Sequence, residues 1–147
     1  MLSILLEAAA AAGIAKLGAA IGAGVAAIGA GMDITKPSAS MILDIGGGTT
    51  DIAVLSLNGI ASSSSIKTAG NDMDQEIIKY IREKYKLLIG EKTAEEIKIN
   101  FADIYKPDKK KKYEVRGRNL LTGLPSTIEI TQDEVQEALE ENIKKII

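Results

Sequence analysis

The spacing of apolar residues changes along the chain, and each change predicts a different element. In "MILDIGGGTTDIAVLSLNG", residues 41–59, Ile42, Leu43 and Ile45 run up to a glycine turn, and Ile52, Val54, Leu55 and Leu57 run away from it. This is the pattern of two strands joined by a tight connection. Asn58-Gly59 carries a type I′ hairpin signal and leads to a third strand near residues 60–68. The period then becomes helical. Ile77, Ile78, Ile81, Tyr85 and Leu88 share one helix face, which Asn71 or Asp72 caps and Gly90 ends. Thr93 and Glu96 have capping-box spacing, so a second helix is predicted to start there and run to about residue 103. Tyr113 and Val115, then Ile128 and Ile130, predict two strands joined by a loop at 118–125. Thr131 and Glu134 repeat the capping box ahead of a last helix with Val135, Leu139, Ile143 and Ile146 inward.

Residues 1–32 read differently, with Glu7 and Lys16 the only charges in an Ala/Gly-rich stretch. Leu17 to Met32 is uncharged and has Gly18 and Gly22 in GxxxG spacing, which raises a membrane helix. Such a helix would span ~24 Å against a hydrocarbon core of ~30 Å, and its glycines weaken it. A small-residue helix packed on a sheet is the favoured expectation. Met1 to Leu6 lacks the basic stretch of a secretory signal. The predicted order is helix, three strands, two helices, two strands, helix, an α/β or α+β arrangement.

Composition narrows the chemistry. The 147 residues suit one domain, or two small subdomains. Eighteen Lys+Arg against twenty Asp+Glu give a net charge of −2, which argues against a general polyanion binder. Without cysteine or histidine there is no disulfide, no thiolate metal site and no His-based triad or zinc centre. Carboxylates, hydroxyls, lysines and backbone amides remain.

The turn at residues 44–50 gathers these groups. Gly46, Gly47 and Gly48 leave the main chain bare and free to take positive φ, so a ligand could approach the amides. Thr49 and Thr50 add hydroxyl donors, and Asp44 at the strand end could hold Mg²⁺ directly or through water. The alternative is a hairpin whose glycines serve only turn geometry. Asp51 faces away from the turn or lies beside it, depending on register. Thr68 to Asp72 approaches a helix N-terminus, whose free amides suit an anion. Glu95 and Lys98, three apart on a helix, could bind a ribose or base edge or form a surface ion pair. The basic run "KPDKKKKYEVRGR", residues 106–118, reads as a solvated loop and hairpin; with Tyr113 alone interleaved, nucleic-acid stacking has little support. Anionic lipid is left open.

Three strings closely resemble the second half of the MreB family, the bacterial actin-like rod-shape proteins: "IGAGMDITKPSASMILDIGGGTTDIAVLSLNGI", "SSSIKTAGNDMDQEIIKYIREKYKLLIGEKTAEEIKI" and "EVRGRNLLTGLPSTIEIT". The likeness covers about residues 28–147. It implies a partial actin-like ATPase fold, a ribonuclease H-like subdomain with an inserted smaller α+β subdomain. Four segments follow: an Ala/Gly-rich 1–32, phosphate-loop strands at 33–70, a smaller adenosine-side subdomain at 71–130 and a C-terminal helix at 131–147. The resemblance also implies ATP with Mg²⁺, Asp44 to Thr50 as the second phosphate loop, and Asp44 acting on the metal through water. Gly70, Asn71 and Asp72 would lie near the nucleotide cleft, with Glu95 and Lys98 toward the adenosine.

The family's first phosphate loop, water-activating glutamate and C-terminal adenosine loop have no counterpart here, although "LLEAAAAAG" looks like the helix that follows that glutamate. The expectation is therefore the nucleotide-binding half of a cytoskeletal filament protein for rod cell shape, binding ATP weakly and inactive alone. The alternative is a working ATPase or phosphotransferase of the actin-like superfamily. Partners implied are other copies of itself and cell-shape or wall-elongation proteins, not nucleic acid. The implied location is the cytoplasm, with the inner face of the membrane as an open extension.

Overall fold

The computed structural model describes residues 39–56 and 59–147. The expected N-terminal helix, Leu57 and Asn58 lie outside the described residues. The chain forms two compact units that divide between Ala69 and Gly70.

The described part of the first unit is an antiparallel meander of β1 (Ser40–Ile45), β2 (Thr50–Ser56) and β3 (Gly59–Ile66) in the order β1-β2-β3. The branched residues on either side of the glycines favour extended backbone. Gly59 pairs with Ser56, so it is a strand residue rather than the second residue of the turn expected at Asn58-Gly59. The β2–β3 register shifts between Val54 and Leu55. Opposite Ala53, Ile42 is buried, and Leu55 lies on the same face. Met41, Leu43 and Ile45 occupy the other face and are 66, 45 and 46% exposed.

The second unit packs three helices and a sheet around one core. Helix α1 (Gly70–Tyr85) is followed by β4 (Leu87–Leu88), α2 (Glu91–Asn100), β5 (Lys112–Asn119), β6 (Pro125–Thr131) and α3 (Gln132–Ile146). The sheet is antiparallel in the order β4-β5-β6, with Leu87 opposite Asn119 and Val115 opposite Ile128. Ile77 and Ile81 of α1, Ala94 and Ile97 of α2, and Val135 and Leu139 of α3 close over Leu87, Val115 and Ile130. Helices one face deep in apolar residues gain most of their stability from this kind of burial.

Three local expectations change. Helix α1 ends at Tyr85, not near Gly90: Lys86 takes a left-handed φ of 54°, and Leu87 and Leu88 leave as a strand paired to β5. The apolar spacing through Leu88 was helical in period, but Leu87 fills the core from the sheet instead. Helix α2 starts at Glu91 with Gly90 as its N-cap, so Thr93 is already inside the first turn and the Thr93–Glu96 capping box does not form. It ends at Asn100, where the Phe101 amide donates to the Ile97 carbonyl, rather than near 103. The second capping box does form, with the Thr131 amide donating to Glu134 Oε2 at 2.8 Å. No helix among the described residues is long and apolar enough to cross a membrane.

Candidate functional site

The glycine turn is closed by the Ile45–Thr50 pair and by the Gly46 amide donating to the Thr49 carbonyl at 2.9 Å. A side chain at Gly46 would stand 3.2 Å from that carbonyl oxygen, a tight fit, whereas one at Gly48 meets nothing within 4 Å. Neither glycine has a left-handed φ, contrary to the expectation for Gly46 to Gly48. Glycine is suited here by close approach at Gly46 and by bare backbone facing open space at Gly48. Gly47 and Thr49 are exposed beside them.

Register settles Asp51. It lies directly opposite Asp44, so both carboxylates stand on one face at the turn end of the hairpin. Like charges paired across strands destabilise one another, and a cation or its water shell relieves that repulsion. The described residues hold no cluster of three or more metal-ligating side chains. One or two carboxylates suit Mg²⁺ arriving on a phosphate, since that ion keeps several waters and borrows ligands from its substrate. Asp44, with Asp51 beside it, would hold such an ion, which would neutralise phosphate charge. Thr50 is fully buried, and its hydroxyl donates to the Thr68 carbonyl at 2.6 Å. Its single proton thus ties the start of β2 to the segment that follows β3 and is not offered outward.

In the second unit, Gly70 opens α1, and Asn71 and Asp72 are exposed in its first turn. The Lys98 ammonium crosses from α2 to donate to the Gly70 carbonyl at 3.0 Å and to Asp74 Oδ2 at 2.8 Å. Glu95 is exposed, and the ion pair that Lys98 makes is with Asp74 instead. A cavity of about 350 Å³ beside them is lined by Asn71, Asp74, Gln75 and Glu91. Gln75 Nε2 donates to Glu91 Oε1 at 3.2 Å across it. Asp74 escaped the sequence reading, yet it left a signal: it sits three residues before Ile77, on the face that the apolar residues of α1 mark as inward. The expected residues thus fall into a glycine-turn group in the first unit and a Gly70–Lys98 group in the second.

A family model described as MreB/Mbl protein matches residues 4–147. The chain belongs to the MreB/Mbl family. The match reaches further toward the N-terminus than the likeness from about residue 28. The cell shape-determining protein Mbl of Bacillus subtilis (strain 168) is 54% identical over 117 residues, 80% of this chain and 35% of that protein. The cell shape-determining protein MreB of Escherichia coli (strain K12) is 44% identical over 117 residues, again 80% of this chain and 34% of its own length. This MreB/Mbl chain therefore spans about a third of the length of those relatives. The crystal structure of MreB5 of Spiroplasma citri bound to AMPPNP matches with a TM-score of 0.79 at 42% identity, covering 84% of this chain and 37% of that one. Its ADP-bound counterpart matches with a TM-score of 0.80 at 42% identity. The fold is accordingly a partial actin-like fold.

Proposed function

We propose that this chain is a nucleotide-binding half of an MreB-like cell-shape filament protein, taking ATP with Mg²⁺ on the Asp44–Thr50 turn. The observation that carries the reading is the bare, open Gly48 backbone beside the exposed Asp44 carboxylate, in a chain whose solved relatives are bound to AMPPNP and ADP. Backbone amides of Gly46 to Thr49 would face phosphate oxygens, and Asp44 would orient the metal's water shell. Gly70 to Asp72, Glu95 and Lys98 would form the adenosine side. Thr50 serves by holding the loop. Self-association and contact with wall-elongation proteins belong to the same proposal, as does a cytoplasmic location at the membrane's inner face.

A site of ~1 μM affinity corresponds to about −8 kcal/mol, and keeping half of those contacts leaves ~1 mM or weaker. Calorimetric titration with Mg·ATP should find binding in that range, lost in Asp44→Ala. Phosphate release should stay at the no-protein blank, because turnover needs water, metal and γ-phosphate positioned together. Tight Mg²⁺-dependent binding that survives Asp44→Ala would overturn the loop assignment. Turnover abolished by Asp44→Asn would replace the half-site with a working ATPase.

A further inference from the structure

Lys98 is held in a way that a surface lysine is not. Its ammonium has three protons, and two are directed by fixed acceptors, Asp74 Oδ2 at 2.8 Å and the Gly70 carbonyl at 3.0 Å. The third has no acceptor among the described hydrogen bonds, and its direction follows from the other two by tetrahedral geometry. Asp74 is 8% exposed, and its other oxygen, Oδ1, is buried without a hydrogen-bond partner. Among the described hydrogen bonds, Lys98 is the donor to this carboxylate. A buried oxygen left unpaired is a feature that calls for a reason beyond packing. Asp74 also lines the cavity with Asn71, Gln75 and Glu91.

We propose that Asp74 is a positioning residue: it fixes the Lys98 ammonium so that its remaining proton meets an acceptor atom of a nucleoside, a ring nitrogen or sugar oxygen. The inference rests on the nucleotide reading given above and adds to it a residue that touches the ligand only through Lys98. Fixing a flexible lysine before the ligand arrives reduces the ordering cost at binding. An amide in place of the carboxylate keeps an acceptor but loses the charge that holds the ammonium.

The test is an NMR titration of the full chain with Mg·ATP and, separately, with Mg·tripolyphosphate, which has the phosphates and no nucleoside. Lys98→Met should weaken ATP about tenfold and leave tripolyphosphate unchanged, the size expected for one charge-assisted hydrogen bond. Asp74→Ala should match that loss, the double variant should lose no more, and Asp74→Asn should recover part of it. Where Asp74→Ala does not fold, Asp74→Asn carries the comparison, with a loss of at least about twofold for ATP and none for tripolyphosphate. Two results would overturn the positioning role while leaving nucleotide binding intact: losses that add in the double variant, or an Asp74 variant that weakens both probes alike. If Lys98→Met leaves ATP binding unchanged, the adenosine-side assignment and the positioning role fail together, while Asp44→Ala reports separately on the phosphate turn.

Discussion

The glycine-turn sheet and the unit that follows it are both built around antiparallel strands, yet they are held differently. In the first, Ile42 and Leu55 form the buried apolar cluster among the described residues, and Met41, Leu43 and Ile45 stand exposed on the opposite face. In the second, three helices and three strands share a cluster running from Ile77 to Leu139. Strand register sets Asp44 opposite Asp51 beside the glycines, whereas packing of α1 on α2 arranges Lys98 against Asp74. A loop placed by register leaves its backbone open to a ligand. A side chain placed by packing is already committed to its geometry.

The sharpest way to break this comparison is to cut each core in turn. Leu139→Ala removes a fully buried side chain from the larger cluster and should cost about 2–5 kcal/mol, read from denaturant unfolding or loss of amide protection throughout residues 70–147. Ile42 clusters with Leu55 among the described residues, and Ile42→Ala should cost clearly less if those are the contacts that hold it. Equal losses would show that the meander is as firmly packed as the second unit.

Two glycines provide the next contrast. A side chain at Gly117 would stand 2.4 Å from the Leu88 carbonyl oxygen and 2.9 Å from Leu87 Cγ, so β4 leaves no space above β5 at that point. Gly117→Ala should cost ~1–3 kcal/mol or more by overpacking. Gly48→Ala, with nothing within 4 Å, should leave the thermal midpoint unchanged and act only on ligand binding. A large thermal shift in Gly48→Ala would mean the turn is closed rather than open.

Acid should separate the units by a smaller amount. Burial pushes the Glu134 carboxyl up, but hydrogen bonds from Lys84, Tyr85 and Thr131 together outweigh it and bring the pKa down from 4.5 to about 2. A depressed carboxylate stabilises the fold fully above its unfolded pKa, and the contribution drains away as pH falls from about 4.5 to about 2. Allowing for screening at its partly open edge, the contribution is on the order of 1–2 kcal/mol. Glu134→Gln should therefore lower the denaturant midpoint at pH 7 and converge with the parent near pH 2. An equal gap at both pH values would remove the charge from the explanation.

The smallest effect is expected at the basic run. Lys112 bonds Glu129 at 2.6 Å and Lys109 lies 3.9 Å from Asp133, all toward solvent. Replacing Lys109 to Lys112 with serine should leave stability unchanged, because exposed pairs contribute little. Vesicle sedimentation with anionic lipid at physiological salt should show little binding to either form. Salt-sensitive binding lost in the serine variant would make this run a lipid contact.

Much of the fold was legible because local chemistry and tertiary packing agree. Thr131 and Glu134 cap α3 as their spacing implies, since the chain enters that helix directly from β6 in extended backbone. The same spacing at Thr93 and Glu96 failed, because the helix had already begun at Glu91 behind an extended Gly90. Strand β4 was hidden for a different reason: two residues carry no period, and their partner, β5, lies about thirty residues further on. Lys98 was visible as a polar group on a helix, but Asp74, its partner from another helix, was not paired with it by any spacing rule.

By itself, the sequence determined the order of the longer strands and helices among the described residues, the inward faces of the helices, the bare turn after Asp44 and the family strings around it. These follow from periodicity, glycine and capping chemistry, all of which act within a few residues. The tertiary structure alone decided that Asp51 stands beside Asp44, that Thr50 turns its proton inward to Thr68, that Gly117 is needed beneath β4, and that Lys98 answers to Asp74 rather than Glu95. Each of those depends on which of two nearly equivalent registers or helix faces meets a distant segment. That choice is made by burial of the whole set, not by any residue's own preference.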